Sequence, residues 1–270
     1  QSTSIGDEAE LFALLRARFP DAPVLVPIRV PHFYYEGMLL EVDVFTDAGL
    51  EPFHRDMGEG RQRRQSQEYG YARLSTPYKA GQSLNQVVRE LENQRSVLNI
   101  SAESVLSETM IVEGSLDKPS LGTVSRLTGS VIQSPKQVNP LIHMDILYSR
   151  KGVVQRFETS SNGLTINATS DGNLTHLSVL CEDESLSIVG QTKAMMAGLD
   201  ATLKAAELSF DHVVKVSANY VGGASEEELH GNLQVRHSFH ALPGPASTGL
   251  PVAGLAHPSA KIAISLFAMA

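Results

Sequence analysis

From residue 190 to the end of the chain, apolar positions follow first one period and then another. Met195, Met196, Leu199, Leu203 and Ala206 recur at three- and four-residue steps, which predicts an amphipathic helix over 191–208. Val213-Val-Lys-Val-Ser-Ala-Asn-Tyr-Val221 is dense in β-branched residues and stops at Gly222-Gly223, the signature of a strand. Ser225 with Glu228 three residues later forms a capping box, so a second helix starts there and runs to Phe239, until Leu242-Pro-Gly-Pro245 breaks it. Two strands close the chain at 246–255 and 261–270, the last apolar on both faces and therefore buried.

The same signatures occur earlier. Residues 12–45 hold Phe12, the turn Phe19-Pro-Asp-Ala-Pro23, a strand Val24-Leu-Val-Pro-Ile-Arg-Val30 and a strand Met38-Leu-Leu-Glu-Val-Asp-Val-Phe45. They repeat the chain's ending at an offset of 220 to 222: Phe19 answers Phe239, Pro23 answers Pro245 and Asp43 answers Ser265. A second echo, offset 108, joins Ile100-Ser101-x-Glu103-x-Val105 to Leu208-Ser209-x-Asp211-x-Val213, each behind a helix and ahead of a strand. Two copies of one fold are expected, an N-terminal module over 1–135 and a C-terminal module over 136–270. In the first, an ending (8–46) precedes a middle (82–114), so that copy reads as permuted or incomplete. The stretch between, a loop over 47–80 with Arg61-Gln-Arg-Arg64, reads as solvated.

Composition narrows the function classes. With 22 Lys and Arg against 30 Asp and Glu in 270 residues, the net charge of -8 offers no global basic field for a phosphate backbone, so nucleic acid is not an expected partner. One cysteine, Cys181, permits no intrachain disulfide and fits a reducing compartment; in a strand-like run without basic neighbours it reads as a buried, inert thiol. The N-terminal residues carry no basic and apolar leader, and no apolar run approaches membrane length, so a cytoplasmic protein without a membrane partner is expected. Gly-x-Ser-x-Gly, P-loop and Gly-x-Gly-x-x-Gly motifs are missing. His230, His237 and His240 share one helix side, but without the spacing and Glu of a zincin helix they read as surface histidines, and no metal is expected.

Residues 190–270 resemble the RidA (YjgF-type) family. Asn232 and Phe239, seven apart, sit where that family has Asn-x-x-Tyr-x-x-x-Phe, and Pro245-Ala246 where it has Pro-Ala-Arg. The resemblance implies an α+β fold, with helices packed on one face of a mixed sheet and ligand pockets between modules. It also implies a homo-oligomer, a trimer or a pseudo-hexamer of modules. Active members hydrolyse enamines or imines such as 2-aminoacrylate without a cofactor, the arginine holding the substrate carboxylate and a glutamate on the last strand positioning water.

This sequence departs from that pattern where it matters. The arginine position is Ser247, the glutamate position is Ser265, and Val235 replaces the tyrosine. In the N-terminal copy Leu25 stands for the arginine, yet Glu41 and Asp43 share one face of the last strand and Arg29 projects from the strand before it. The expected site is therefore Arg29 for the carboxylate of a small metabolite, Asp43 or Glu41 for water or proton handling, and Asn232 as a pocket hydrogen-bonder. The bland alternative for the trio is a cross-strand ion pair on a solvated face. For the chain as a whole, the alternatives to a deaminase-like hydrolase are a non-catalytic scaffold or interaction module and a chorismatase-like activity on the same fold.

Overall fold

The computed structural model describes residues 54–56, 60–78, 82–114, 131–134 and 140–270 apart from 162, 222 and 224, with isolated positions between 10 and 30. Apart from Ile28 and Val30, strands 24–30 and 38–45 of the expected repeat lie outside the described residues. So do Arg29, Glu41 and Asp43.

Side-chain alternation builds the first sheet. Along β3 (Tyr69–Pro77), Ala72, Leu74 and Thr76 face one way and Tyr71, Arg73 and Ser75 the other. β4 (Val105–Glu113) and β6 (Leu141–Ser149) repeat the division: Met110, Val112, Ile142, Met144 and Ile146 are buried on the side covered by α1 (Leu84–Val97). α1 starts at a capping box between Ser83 and Gln86 and seats Val87 and Leu91 in that core. With β1 (His54–Asp56), β2 (Arg61–Gln65), β5 (Val131–Ser134) and β12 (Gly254–Leu255), the sheet order is β1-β2-β3-β6-β4-β5-β12.

The second sheet comprises β7 (Gln155–Ser161), β8 (Leu164–Ser170), β9 (Leu174–Cys181), β10 (Val213–Val221), β11 (Ala246–Val252) and β13 (Ile262–Met269), in the order β11-β10-β13-β9-β8-β7. α2 (Ile188–Ala205) lays Met195, Met196, Leu199 and Leu203 on it, and α3 (Glu226–His237) packs beside α2. The helix, strand, helix, strand, strand reading of residues 190–270 holds. α3 stops at His237, and the 246–255 segment splits at Ala253 into strands that join different sheets.

Read from one edge, the two sheets have the same order, β1-β2-β3-β6-β4-β5 against β7-β8-β9-β13-β10-β11, with a parallel last pair in both. The 108-residue echo is a structural equivalence: Ser101 and Ser209 both cap a short 3-10 turn, at Ala102–Ser104 and Phe210–His212. A β-bulge follows each, between Val105 and Ser107 and between Val213 and Lys215.

Three sequence expectations need correction. The first copy is not permuted, because β5 and β6 supply its ending after the middle, in the order of the second module. β6, which falls beyond the boundary expected at 135/136, lies between β3 and β4 in the first sheet. Within the expected solvated loop 47–80, residues 54–56, 61–65 and 69–77 instead form β1, β2 and β3. Their arginines mask the pattern, because a long aliphatic stem can lie along a sheet while its charged head finds polar partners. Arg63 Nη1, for example, donates to the Leu98 carbonyl at 3.0 Å.

The sheets meet by their helix-free faces. β4 touches β8 and β9, Ser107 Oγ lies 3.4 Å from His176 Nε2, and the Thr169 hydroxyl donates to the Leu106 carbonyl. Ser149 Oγ donates to Asp171 Oδ2 at 2.8 Å, and Asn173 Nδ2 to the Tyr69 hydroxyl at 3.0 Å. At the far end Ile111, Ile132, Val252, Leu255, Ala260 and Ala263 form a small shared core.

Two substitutions test this packing. A Cβ on Gly70 would lie 2.1 Å from the ring of Tyr148, its direct cross-strand partner, so Gly70→Ala should cost about 1–3 kcal/mol, read by urea denaturation. On the helix side Arg95 Nη1 pairs with Glu108 Oε1 at 3.0 Å, and burial still pushes the Glu108 pKa up. Arg95→Ala leaves that carboxylate without its partner and should cost about 3–5 kcal/mol at neutral pH. Because the folded state favours protonated Glu108, the deficit should shrink as pH falls through its raised pKa, which melting at several pH values would show.

Candidate functional site

Antiparallel pairing sets Arg73 of β3 opposite Asp145 of β6, and Asp145 opposite Thr109 of β4. Direct partners share a face, here the helix-free one. Arg73 and Asp145 are 3% and 7% exposed at the side chain, with Nη1 3.6 Å from Oδ2. The pair is poorly satisfied. Neither Nη1 nor Nη2 of Arg73 makes a hydrogen bond, and nor does Asp145 Oδ1, whereas a buried guanidinium ordinarily has its donors filled. Burial raises the Asp145 pKa, opposed by Arg73, by His143 and by a hydrogen bond from the Tyr71 hydroxyl. Burial also pushes the Tyr71 phenol well up, and the Asp145 charge adds to it.

Two residues along, on the same face, lies a second group. Ser75 Oγ is 2.8 Å from His143 Nδ1, and His143 Nε2 faces Glu113 Oε1 at 3.6 Å. Glu113 Oε2 is held by the Leu141 backbone N–H at 2.9 Å. Burial lowers the His143 pKa, so the imidazole is kept neutral more readily than in water.

The matching registers identify what the second module has at these places. Thr109 and Ser217 are equivalent through the 108-residue offset; Thr109 pairs with Asp145, and Ser217 with Ser265. Ser265 in turn pairs with Ser178, as Asp145 does with Arg73. The charged row Arg73, Asp145, Thr109 thus becomes the serine row Ser178, Ser265, Ser217. By register the counterpart of Ser265 is Asp145, whereas the sequence comparison pointed to Asp43.

Asn232 lies between two helices, whereas Arg29, Glu41 and Asp43 lie outside the described residues. Asn232 is 2% exposed between α2 and α3, and its Oδ1 accepts from Thr192 Oγ1 at 3.1 Å and Arg236 Nε at 3.3 Å. Arg236 is also buried and its Nη1 reaches Ser247 Oγ at 3.4 Å, so these polar groups fasten the helices to each other and to β11. His230 bonds to Gln234 and His240 packs edge-on against Phe210; among the described residues no cluster of His, Cys, Asp or Glu could hold a metal. Cys181 is buried, and burial raises its thiol pKa. No described helix is long and apolar enough to cross a membrane.

Sequence reasoning missed Arg73, Asp145, Ser75, His143 and Glu113. The available signal was polar alternation within Leu141-Ile-His-Met-Asp-Ile-Leu-Tyr-Ser149, where His143 and Asp145 interrupt an otherwise apolar strand on one face.

No family model matches the sequence, and no curated protein does. Solved structures do match the fold. A YjgF-family protein from Mycobacterium tuberculosis is similar over 43% of this chain and 100% of its own, at 17% identity and a TM-score of 0.35. A YjgF-family protein from Neisseria meningitidis is similar over 43% of this chain and 93% of its own, at 19% identity and a TM-score of 0.35. A chorismatase is similar over 81% of this chain and 79% of its own, at 11% identity and a TM-score of 0.53, so the α+β fold of this chain is shared, across both modules, with a chorismatase.

Proposed function

We propose that the first module binds a small carboxylate and hydrolyses a double bond that bears nitrogen or oxygen beside it, an enamine or an enol ether. The observation that carries this reading is the buried Arg73 fork, with Nη1 and Nη2 unfilled beside a carboxyl group whose pKa burial has raised. A guanidinium with two open donors matches the two oxygens of a carboxylate. A carboxyl group held protonated to higher pH is a general acid.

The two chemistries share one fragment. 2-Aminoacrylate is CH2=C(NH2)–COO⁻, and the side chain of chorismate is the corresponding enol ether. With the carboxylate on Arg73, Asp145 gives its proton to the CH2 carbon, leaving an iminium or oxocarbenium carbon next to the carboxylate. Water adds there, the C–N or C–O bond breaks, and pyruvate leaves with ammonia or an alcohol. The enamine arm follows the family resemblance; the enol-ether arm is favoured by the chorismatase likeness across both modules. The reading keeps the expected homo-oligomer of modules, for which the outer edge of β7, with Phe157 56% exposed, is available.

Pyruvate release from each compound by the full chain tests the reading. Arg73→Gln should weaken the carboxylate's binding by about 1.5–3 kcal/mol. Asp145→Asn should lower kcat by about 100-fold or more. Because the acid form of Asp145 is the working form, kcat/KM should fall as pH rises through its raised pKa. A chain that binds and turns over neither compound is a scaffold, and the proposal fails.

A further inference from the structure

Ser75, His143 and Glu113 have no part in the reaction just described. A neutral imidazole carries a proton on one nitrogen and a lone pair on the other, and its neighbours decide which. Glu113 Oε1 faces Nε2, and Glu113 is fixed by the Leu141 N–H at its other oxygen. A lone pair on Nε2 would point at a carboxylate, so the proton belongs there. The lone pair then lies on Nδ1, 2.8 Å from Ser75 Oγ, and the serine must be the donor. His143 is buried, while Ser75 is only partly so and stands on the same face as Arg73, two residues before it. The groups facing His143 are Ser75 and Arg73 from β3, Asp145 from its own strand, and Glu113 from β4.

We propose that Ser75 is an activated nucleophile for acyl transfer, with His143 as its base, Glu113 as the positioning residue that fixes the imidazole, and an ester or thioester of a small acid as its substrate class. The arrangement is the nucleophile, base and orienting acid of serine hydrolases, recognised by roles rather than by a sequence motif, with the two ring nitrogens exchanged. Ser75 Oγ bonds to the carbonyl carbon as its proton passes to His143 Nδ1. The C–O or C–S bond breaks, and the leaving alcohol or thiol takes that proton. Water then attacks the acyl-serine by the same route, releasing the acid and restoring Ser75. Charge on the carbonyl oxygen during both steps meets the unfilled Nη1 and Nη2 of Arg73, donors of the kind an oxyanion requires. Only Arg73 is shared with the proposed hydrolysis.

Diisopropyl fluorophosphate and p-nitrophenyl acetate, applied to the full chain, are the probes, with peptide mass spectrometry to locate the adduct. The expected result is phosphorylation of Ser75 by the first and acetylation by the second, at a rate that rises with pH as His143 loses its proton. His143→Gln should slow labelling by about 100-fold or more. Glu113→Gln should slow it less and move the rising limb to lower pH, because the Glu113 carboxylate favours protonated His143. A purely structural glutamate would leave that limb in place. No adduct on Ser75 under conditions that fully label a serine protease overturns the proposal, as does an adduct whose rate His143→Gln leaves unchanged. Labelling needs no turnover of an enamine or enol ether, so either proposal can fail while the other stands.

Discussion

Two β-sheets in this protein pack through the faces their helices leave bare, and those faces are polar. Everything else in the molecule is arranged around that constraint. Polar groups removed from water cost about 1–3 kcal/mol each when left without partners, so most of those at the junction are paired across it. Ser107 with His176, Thr169 with the Leu106 carbonyl, Ser149 with Asp171 and Asn173 with Tyr69 tie the modules by hydrogen bonds, while Ile111 and Ile132 meet Val252 and Leu255 at the apolar end. Against that background Arg73 and Asp145 stand out, a buried pair whose Nη1, Nη2 and Oδ1 make no hydrogen bond.

The asymmetry between modules gives this meaning. The strand pairings of the two sheets match, so by register the counterparts of Arg73 and Asp145 are Ser178 and Ser265. The fold therefore does not need charge at these places, because the second module forms without it. A poorly satisfied ion pair is a structural burden of several kcal/mol that one module bears and the other has shed. Local violations of this sort belong to working sites.

The legible part of the sequence was the part where one physical signal dominated. The α2 stripe, the Ser225 capping box and the β-branched run of β10 each announced an element, and Ser101 and Ser209 marked equivalent turns. β2 and β3 were hidden because their non-core face is built of Arg, Gln, Ser and Tyr, which mimics a solvated loop when no partner is in view. β6 was placed in the wrong module because pairing is non-local: Asp145 follows its β3 partner by 72 residues, and no periodicity encodes that. The candidate site inherits the same blindness. Arg73 and Ser75 read as loop residues until β6 is laid beside them, and only then do His143 and Asp145 turn them into chemistry. Asn232 was singled out by the resemblance, yet two buried partners, Thr192 and Arg236, occupy its oxygen.

Among the described residues, the shortest strand has the longest reach. β12, residues Gly254 and Leu255, pairs antiparallel with Gln133 and Ile132, so the first sheet ends on a strand that the chain makes more than a hundred residues after its partner. On the ribosome the first module can collapse around α1 early, but its β5 edge stays open until residue 255 has emerged, and that edge is a template for unwanted pairing in the interval. Closure across more than a hundred residues also carries a loop-closure cost that local pairings do not. The two modules, alike in plan, are therefore not independent in biogenesis: the second one finishes the first.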